Sequence, residues 1–276
     1  TGRRLYLGHT QTVAVSADLA RNGMEQVLDY LSRQHDIPLS LALVISREDT
    51  AAKLLETPPV TEILAGYEIA MRASEEGQQG PYMPFYQFYS EVQEKGIDPY
   101  LPAVAAGEEG TLSQGAALFQ ESRLVGFLDE EETDTLLMLR GKKPSGAITV
   151  LRSQEEGGKV TFTLDTCRLT LHTALTPQGQ VQGTLSLRAE VMVSELEGDQ
   201  PLLSQEGRRQ LESLCSAELT QRGQALLQKL QKEFACDPLG LGLDLSRRQP
   251  TQWEQIKDQW HTFFSQADLD LSVQVQ

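Results

Sequence analysis

Two alternating stretches joined by one turn limit this chain more than any other feature. Val160, Phe162 and Leu164 alternate with polar residues, and after Asp165-Thr166 the alternation passes to Cys167, Leu169 and Leu171. Pro177-Gln178-Gly179 turns the chain, and Leu185, Leu187, Ala189, Val191 and Val193 return on the odd positions of 181–196. Successive strand side chains point to opposite faces, so this is a long twisted hairpin with one apolar face. The one-residue slip is the signature of a β-bulge. Such a hairpin needs a cover for that face. The longest helical pattern of the chain supplies one over 204–235, striped by Leu211, Leu214, Leu219, Leu226 and Leu230. Gly223 is a weak point inside it, at about 1 kcal/mol relative to alanine. Asp237-Pro238 ends it, because a residue before proline avoids helical angles.

The rest of the C-terminal half fits the same module. Phe234 to Gly242 is a tight turn whose glycines suit backbone angles that other residues resist. Residues 251–265 form the last helix and hold both tryptophans, Trp253 and Trp260. Leu269, Leu271, Val273 and Val275 then alternate as an edge-like strand, and residues 147–152 add another strand before the 154–158 turn.

The N-terminal half mixes strands and helices. Residues 5–15 read as strand, Ser16 as the N-cap of a helix closed by Gly23, and 24–32 as a second helix. Residues 37–46 are apolar almost throughout, the pattern of a strand covered on both faces. A short helix over 48–55 stops at Pro58-Pro59, helices follow over 60–76 and 83–95, and 77–81 is a loop. The aromatic run Met83, Phe85, Tyr86, Phe88, Tyr89 reads as a packed helix face. Residues 100–104 are a strand, and 112–119 with 123–128 a hairpin around Gln120-Glu121-Ser122. Asp129 and Glu132 have capping-box spacing at the start of a helix that runs to Arg140. The fold class is therefore α+β. It comprises an N-terminal α/β region over 1–142, with a helical portion at about 58–96, and a C-terminal α+β domain over 143–276, an antiparallel sheet packed by long helices.

Charge and motif inventory narrow the function. The 276 residues carry a formal net charge of −15. No Lys/Arg cluster offers a nucleic-acid face, and an anionic membrane surface repels such a chain on average. No apolar run reaches the roughly 18–20 residues of a membrane span. The three cysteines, Cys167, Cys215 and Cys236, form no C-x-x-C pair and read as small apolar fillers. His9, His35, His172 and His261 show no metal-ligand spacing. There is no G-x-S-x-G elbow, and Gly107-Glu108-Glu109-Gly110 places acids where a phosphate loop needs cationic or neutral groups. The expectation is a non-enzyme with no catalytic, cofactor-binding or metal-binding residues, no cofactor, and a partner surface left unassigned.

Several separated segments resemble the spore germination lipoprotein family, the GerAC-type C subunits of nutrient germinant receptors. They are Arg4-Leu5-Tyr6-Leu7-Gly8-His9, Ala17 to Gly23, Leu28 to Arg33, Leu101-Pro102, Gly115 to Phe119 leading through Leu124 to Leu128, and Asp237 to Gly242 with Trp260 and Ala267. The resemblance implies a lipid-anchored protein on the outer face of the spore inner membrane. It implies assembly with integral-membrane A- and B-type receptor subunits, no nucleic acid and no enzymatic activity. Family members begin with a signal peptide, a lipid-modified cysteine and a strand-rich segment, so the resemblance implies a longer protein whose anchor lies outside this sequence. One departure is Gln34-His35, where the family usually has aspartate after the arginine matching Arg33. Two other readings stand beside this one. Phe85-Tyr86-Phe88-Tyr89 allows a small-molecule module that holds the germinant, and the abundant carboxylates allow a hydrolase acting on carbohydrate or peptidoglycan.

Overall fold

The computed structural model describes residues 6–60, 62, 64–72, 81–108, 110–142, 144, 146–151, 158–197 and 204–276. The start of the 5–15 strand at Leu5, Ile63, the 77–80 part of the loop, Glu109, Arg152 and the 154–157 part of the turn lie outside the described residues. The fold is α+β, and the chain divides into two compact units, Thr1–Thr133 and Asp134–Gln276.

The first unit is built on a five-stranded sheet. β1 (Thr12–Ser16) leads into α1 (Ala17–Asn22) and α2 (Glu25–Arg33), and β2 (Ala42–Ser46) into α3 (Ala51–Leu55), α4 (Ala65–Arg72) and α5 (Phe85–Gln93). β3 (Tyr100–Gly107), β4 (Gly110–Gln120) and β5 (Arg123–Leu128) complete the order β1-β2-β3-β4-β5. The first three strands are parallel and the last two antiparallel, so the sheet is mixed. β2 is buried at every position, as a strand covered on both faces must be. One face carries Ala42, Val44 and Val104 against Leu54 of α3 and Ile69 of α4. Phe88 of α5 meets Phe119 edge to face at 5.1 Å.

Ser16 caps α1 by accepting from the Leu19 amide at 3.3 Å. The strand expected over 37–46 is shorter, however. Pro38 lacks an N–H for a ladder, and its carbonyl accepts from the Leu41 amide in a turn. Leu39 and Leu41 turn their carbonyls to the amides of Tyr86 and Phe85 instead. Likewise β1 begins at Thr12, and Gly8-His9 is a turn. Gly115 has a positive φ of +78°, and a Cβ there would lie 2.1 Å from the Leu128 carbonyl oxygen, so the strands approach too closely for any side chain.

The division between the units falls within α6 (Glu130–Leu139). Its start is the expected capping box: the Glu132 amide donates to Asp129 Oδ1 at 2.8 Å and the Asp129 amide to Glu132 Oε2 at 3.0 Å. The second unit contains β6 (Ala147–Leu151), β7 (Lys159–Leu175) and β8 (Val181–Leu196). They form antiparallel pairs, with a register shift between Leu164 and Thr166 where the sequence slips phase. α7 (Gln205–Lys229) follows, then one π-helical turn (Leu230–Phe234), α8 (Leu241–Arg248), α9 (Pro250–Ile256), a 3₁₀ turn (Lys257–Gln259), α10 (Trp260–Ser265) and β9 (Asp268–Val275). β9 takes the sheet edge next to β8 and runs parallel to it, so the sheet expected to be antiparallel is mixed.

Three further differences from expectation have physical causes. The buried stripe of α7 passes through Leu211, Cys215, Leu219, Gly223 and Leu226, while Leu214 is half-buried. Gly223 is a close-approach residue: a Cβ there would lie 2.4 Å from Leu271 Cδ2 of β9. The 251–265 helix is two helices separated by the 3₁₀ turn, and α8 had no expectation. α8 covers the part of β7 that extends past β6. Asp244 Oδ2 accepts from the Thr173 amide at 2.7 Å, Gln249 Oε1 accepts from the Leu175 amide at 2.9 Å, and Arg248 Nη2 donates to the Leu171 carbonyl at 3.2 Å. An open edge of a sheet is thereby closed by side chains.

Candidate functional site

Several of the chemistry-bearing side chains among the described residues are engaged in holding the chain together. Asp237 is fully buried. Its Oδ1 accepts from the amides of Gly240 at 2.9 Å and Leu241 at 3.1 Å, and its Oδ2 from the Gly242 amide and Trp260 Nε1, each at 3.0 Å. Gly240 takes φ +79° to aim those amides. The carboxylate therefore satisfies the start of α8 and ties it to α10, a structural use of an acid. Trp260 in turn meets Trp253 edge to face at 5.3 Å. In the first unit, Glu68 is 1% exposed, with Oε2 accepting from the Val60 amide at 2.7 Å and Oε1 from the Thr111 amide at 3.0 Å.

The titratable groups that depart from ordinary values do so through local partners or through burial. The Ser122 hydroxyl donates to Glu25 and holds its carboxyl below the usual range. The Lys53 ammonium does the same for Glu48, and Glu48 raises Lys53 in return. Burial pushes the Cys215 thiol up to about 12, well away from a reactive thiolate. All three cysteines are free thiols. Cys215 and Cys236 are buried, and half-buried Cys167 donates its S–H to the Lys142 carbonyl at 3.1 Å. His9, His35 and His172 are exposed, and His261 is half-buried. Among the described residues no group of three His, Cys, Asp or Glu is placed to hold a metal, and no helix is long and apolar enough to cross a membrane.

The aromatic run is a packed face. Phe85 and Phe88 are buried, whereas Tyr86 is 55% exposed, so the rings diverge and enclose no cage. Two surfaces stand out among the described residues. On the first unit Val60, Leu64, Tyr67 and Met71 recur at helical spacing and are exposed. On the second, a cavity of about 900 Å³ is lined by residues of β7, β8, β9 and α7, among them Arg168, Arg188, Glu190, Glu212 and Gln274. The cavity residues had no expectation. The signal was present: Arg168 and Arg188 each stand ten residues from Gln178, so a symmetric hairpin must set them opposite each other.

Comparison with known proteins decides the family. A model described as "Spore germination B3/ GerAC like, C-terminal" matches residues 114–276, and one described as "Spore germination protein N-terminal domain" matches residues 1–106. The chain belongs to the GerAC-like spore germination family. Its curated relatives include Spore germination protein B3 of Bacillus subtilis (strain 168), 22% identical over 98% of this chain and 73% of the relative. Spore germination protein YndF of the same organism is 23% identical over 99% of this chain and 68% of its own length. The crystal structure of the GerBC protein has the same fold, with a TM-score of 0.76 and 22% identity over 99% of this chain and 81% of that one. Membership of the GerAC-like family thus agrees with the resemblance carried by Asp237 to Gly242, which the structure places around one buried carboxylate.

Proposed function

We propose that this GerAC-like chain is the non-catalytic C subunit of a nutrient germinant receptor. It works by presenting folded surface to integral-membrane A- and B-type subunits. It is held at the outer face of the spore inner membrane by a lipid anchor. The observation that carries the reading is the match of both family models, in order, along one chain. The engagement of Asp237, Glu68 and the cysteines in packing and caps supports a structural rather than catalytic use of its polar groups. The exposed apolar residues Leu64, just before α4, and Tyr67 within it are where we place such a contact in the first unit.

The test is co-purification of the tagged full-length protein from detergent-solubilised spore membranes. A- and B-type subunits are expected in the eluate, and Leu64→Glu or Tyr67→Glu should deplete them without changing the melting curve. Their absence from the wild-type eluate would sink the reading. Deletion of the gene together with its paralogues should also abolish nutrient-triggered germination, and unaltered germination would count against it.

A further inference from the structure

The outward face of the β7–β8–β9 sheet holds two arginines where a protein alone gains nothing from them. Arg168 and Arg188 are directly opposite in the β7–β8 register, and Gln274 is opposite Arg188 on β9. All three are exposed and share one face. Neighbouring strands lie about 4.8 Å apart, so the two side chains leave the sheet about 5 Å from each other. Like charges directly opposite destabilise a sheet. Neither guanidinium has a hydrogen-bond or ionic partner among the described residues. The nearest acid in register, Glu190, is opposite Thr166 and accepts instead from Gln276 Nε2 at 3.4 Å. The same residues line the cavity of about 900 Å³.

The geometry points to a phosphate-binding site formed by Arg168 and Arg188, with the Gln274 amide as a third donor. A guanidinium offers a planar fork of donors that matches two oxygens of an oxyanion. A carboxylate is satisfied by one such fork. Two forks side by side fit a tetrahedral phosphate group, which has oxygens to share and carries one negative charge as a diester and up to about two when free or a monoester at neutral pH. A net charge of −15 on the whole chain disfavours an extended polyanion and leaves a compact group seated between the two cations. The phosphate can be free or belong to a lipid headgroup, since the shared chemistry is the same. The site does not depend on assembly with other subunits.

The experiment uses the whole chain. Inorganic phosphate is titrated by calorimetry at constant ionic strength, and binding to phosphatidylglycerol vesicles is compared with binding to phosphatidylcholine vesicles by co-sedimentation. Arg168→Gln and Arg188→Gln are compared with the wild type and with Arg208→Gln, an exposed arginine of α7 outside the cavity. Phosphate is expected to bind, with at least tenfold weakening in each site variant and none in Arg208→Gln. Binding of phosphatidylglycerol vesicles alone, lost in the site variants, identifies the headgroup as the source and upholds the site. No binding of either probe, or binding unchanged in both site variants, overturns it. Circular-dichroism melts keep the test sound: both site variants should melt at or above the wild-type temperature, since each removes a like-charge neighbour.

Discussion

Replacing Asp237 is the sharpest test of how the second unit is held together. Its carboxylate accepts from three backbone amides and one indole N–H. Hydrogen bonds to a charged group contribute about 1.5–3 kcal/mol each, and a buried donor left unmet costs about 1–3 kcal/mol. The terms are not additive, and water can reach a helix start once the side chain shrinks. We therefore expect Asp237→Ala to cost about 4 kcal/mol, within the range for breaking a buried network. Asp237→Asn keeps the volume and one acceptor oxygen but sets an amide NH₂ against donors, for a cost of about 2–3 kcal/mol. Trp260→Phe removes one donor and should cost about 1 kcal/mol. For a unit of this size, about 4 kcal/mol corresponds to a fall in Tm of roughly 8–16 °C. Trp253 and Trp260 are the only tryptophans and both lie in this unit, so denaturant unfolding followed by tryptophan emission reports it alone. Circular dichroism serves for Trp260→Phe. An Asp237→Asn protein within about 0.5 kcal/mol of wild type would refute the network as the organiser of this corner.

Other expectations follow from close approaches, thiols and acids. Gly223→Ala should lower stability by about 1 kcal/mol despite alanine's better helix propensity, because its Cβ meets Leu271; a rise in Tm would refute the close approach. Gly240→Val should destabilise the same unit by about 2 kcal/mol or more, since its φ of +79° resists a β-branched side chain; an unchanged melt would show otherwise. Cys215, whose thiol is pushed up to about 12, and buried Cys236 should react with a thiol reagent at pH 8 only after unfolding; fast labelling of either in the native protein would contradict their placement. Glu25 has a folded pKa below its unfolded one, chiefly through the Ser122 hydroxyl. Its contribution is present above the unfolded value near 4.5 and is lost as pH falls through the folded value. Ser122→Ala should therefore reduce the acid sensitivity of the first unit, and identical acid unfolding curves would count against the pair.

Local patterns carried much of this fold. The alternation and phase slip of 160–171 needed no long-range knowledge, because strand period and bulge geometry act over neighbouring residues. The Asp129–Glu132 cap and the Ser16 cap were equally legible, since their partners lie three residues away. Local pattern failed where distant groups set the outcome. Nothing near Leu39 says that its carbonyl serves Tyr86, which is why the 37–46 strand is shorter than its apolar run. Helix 251–265 broke into two around a 3₁₀ turn for which the sequence has no proline or glycine signal.

By itself, then, the chain's order of residues determined its periodic elements, its caps, its α+β class and its family, all of which depend on short spacings or on ordered motifs. Tertiary structure alone decided that β9 runs parallel to β8, that Gly223 makes room for Leu271, and that Asp237 joins Trp260 across the second unit. The reason is physical: backbone preference acts between near neighbours, whereas strand direction, close packing and buried charge depend on which distant surfaces meet.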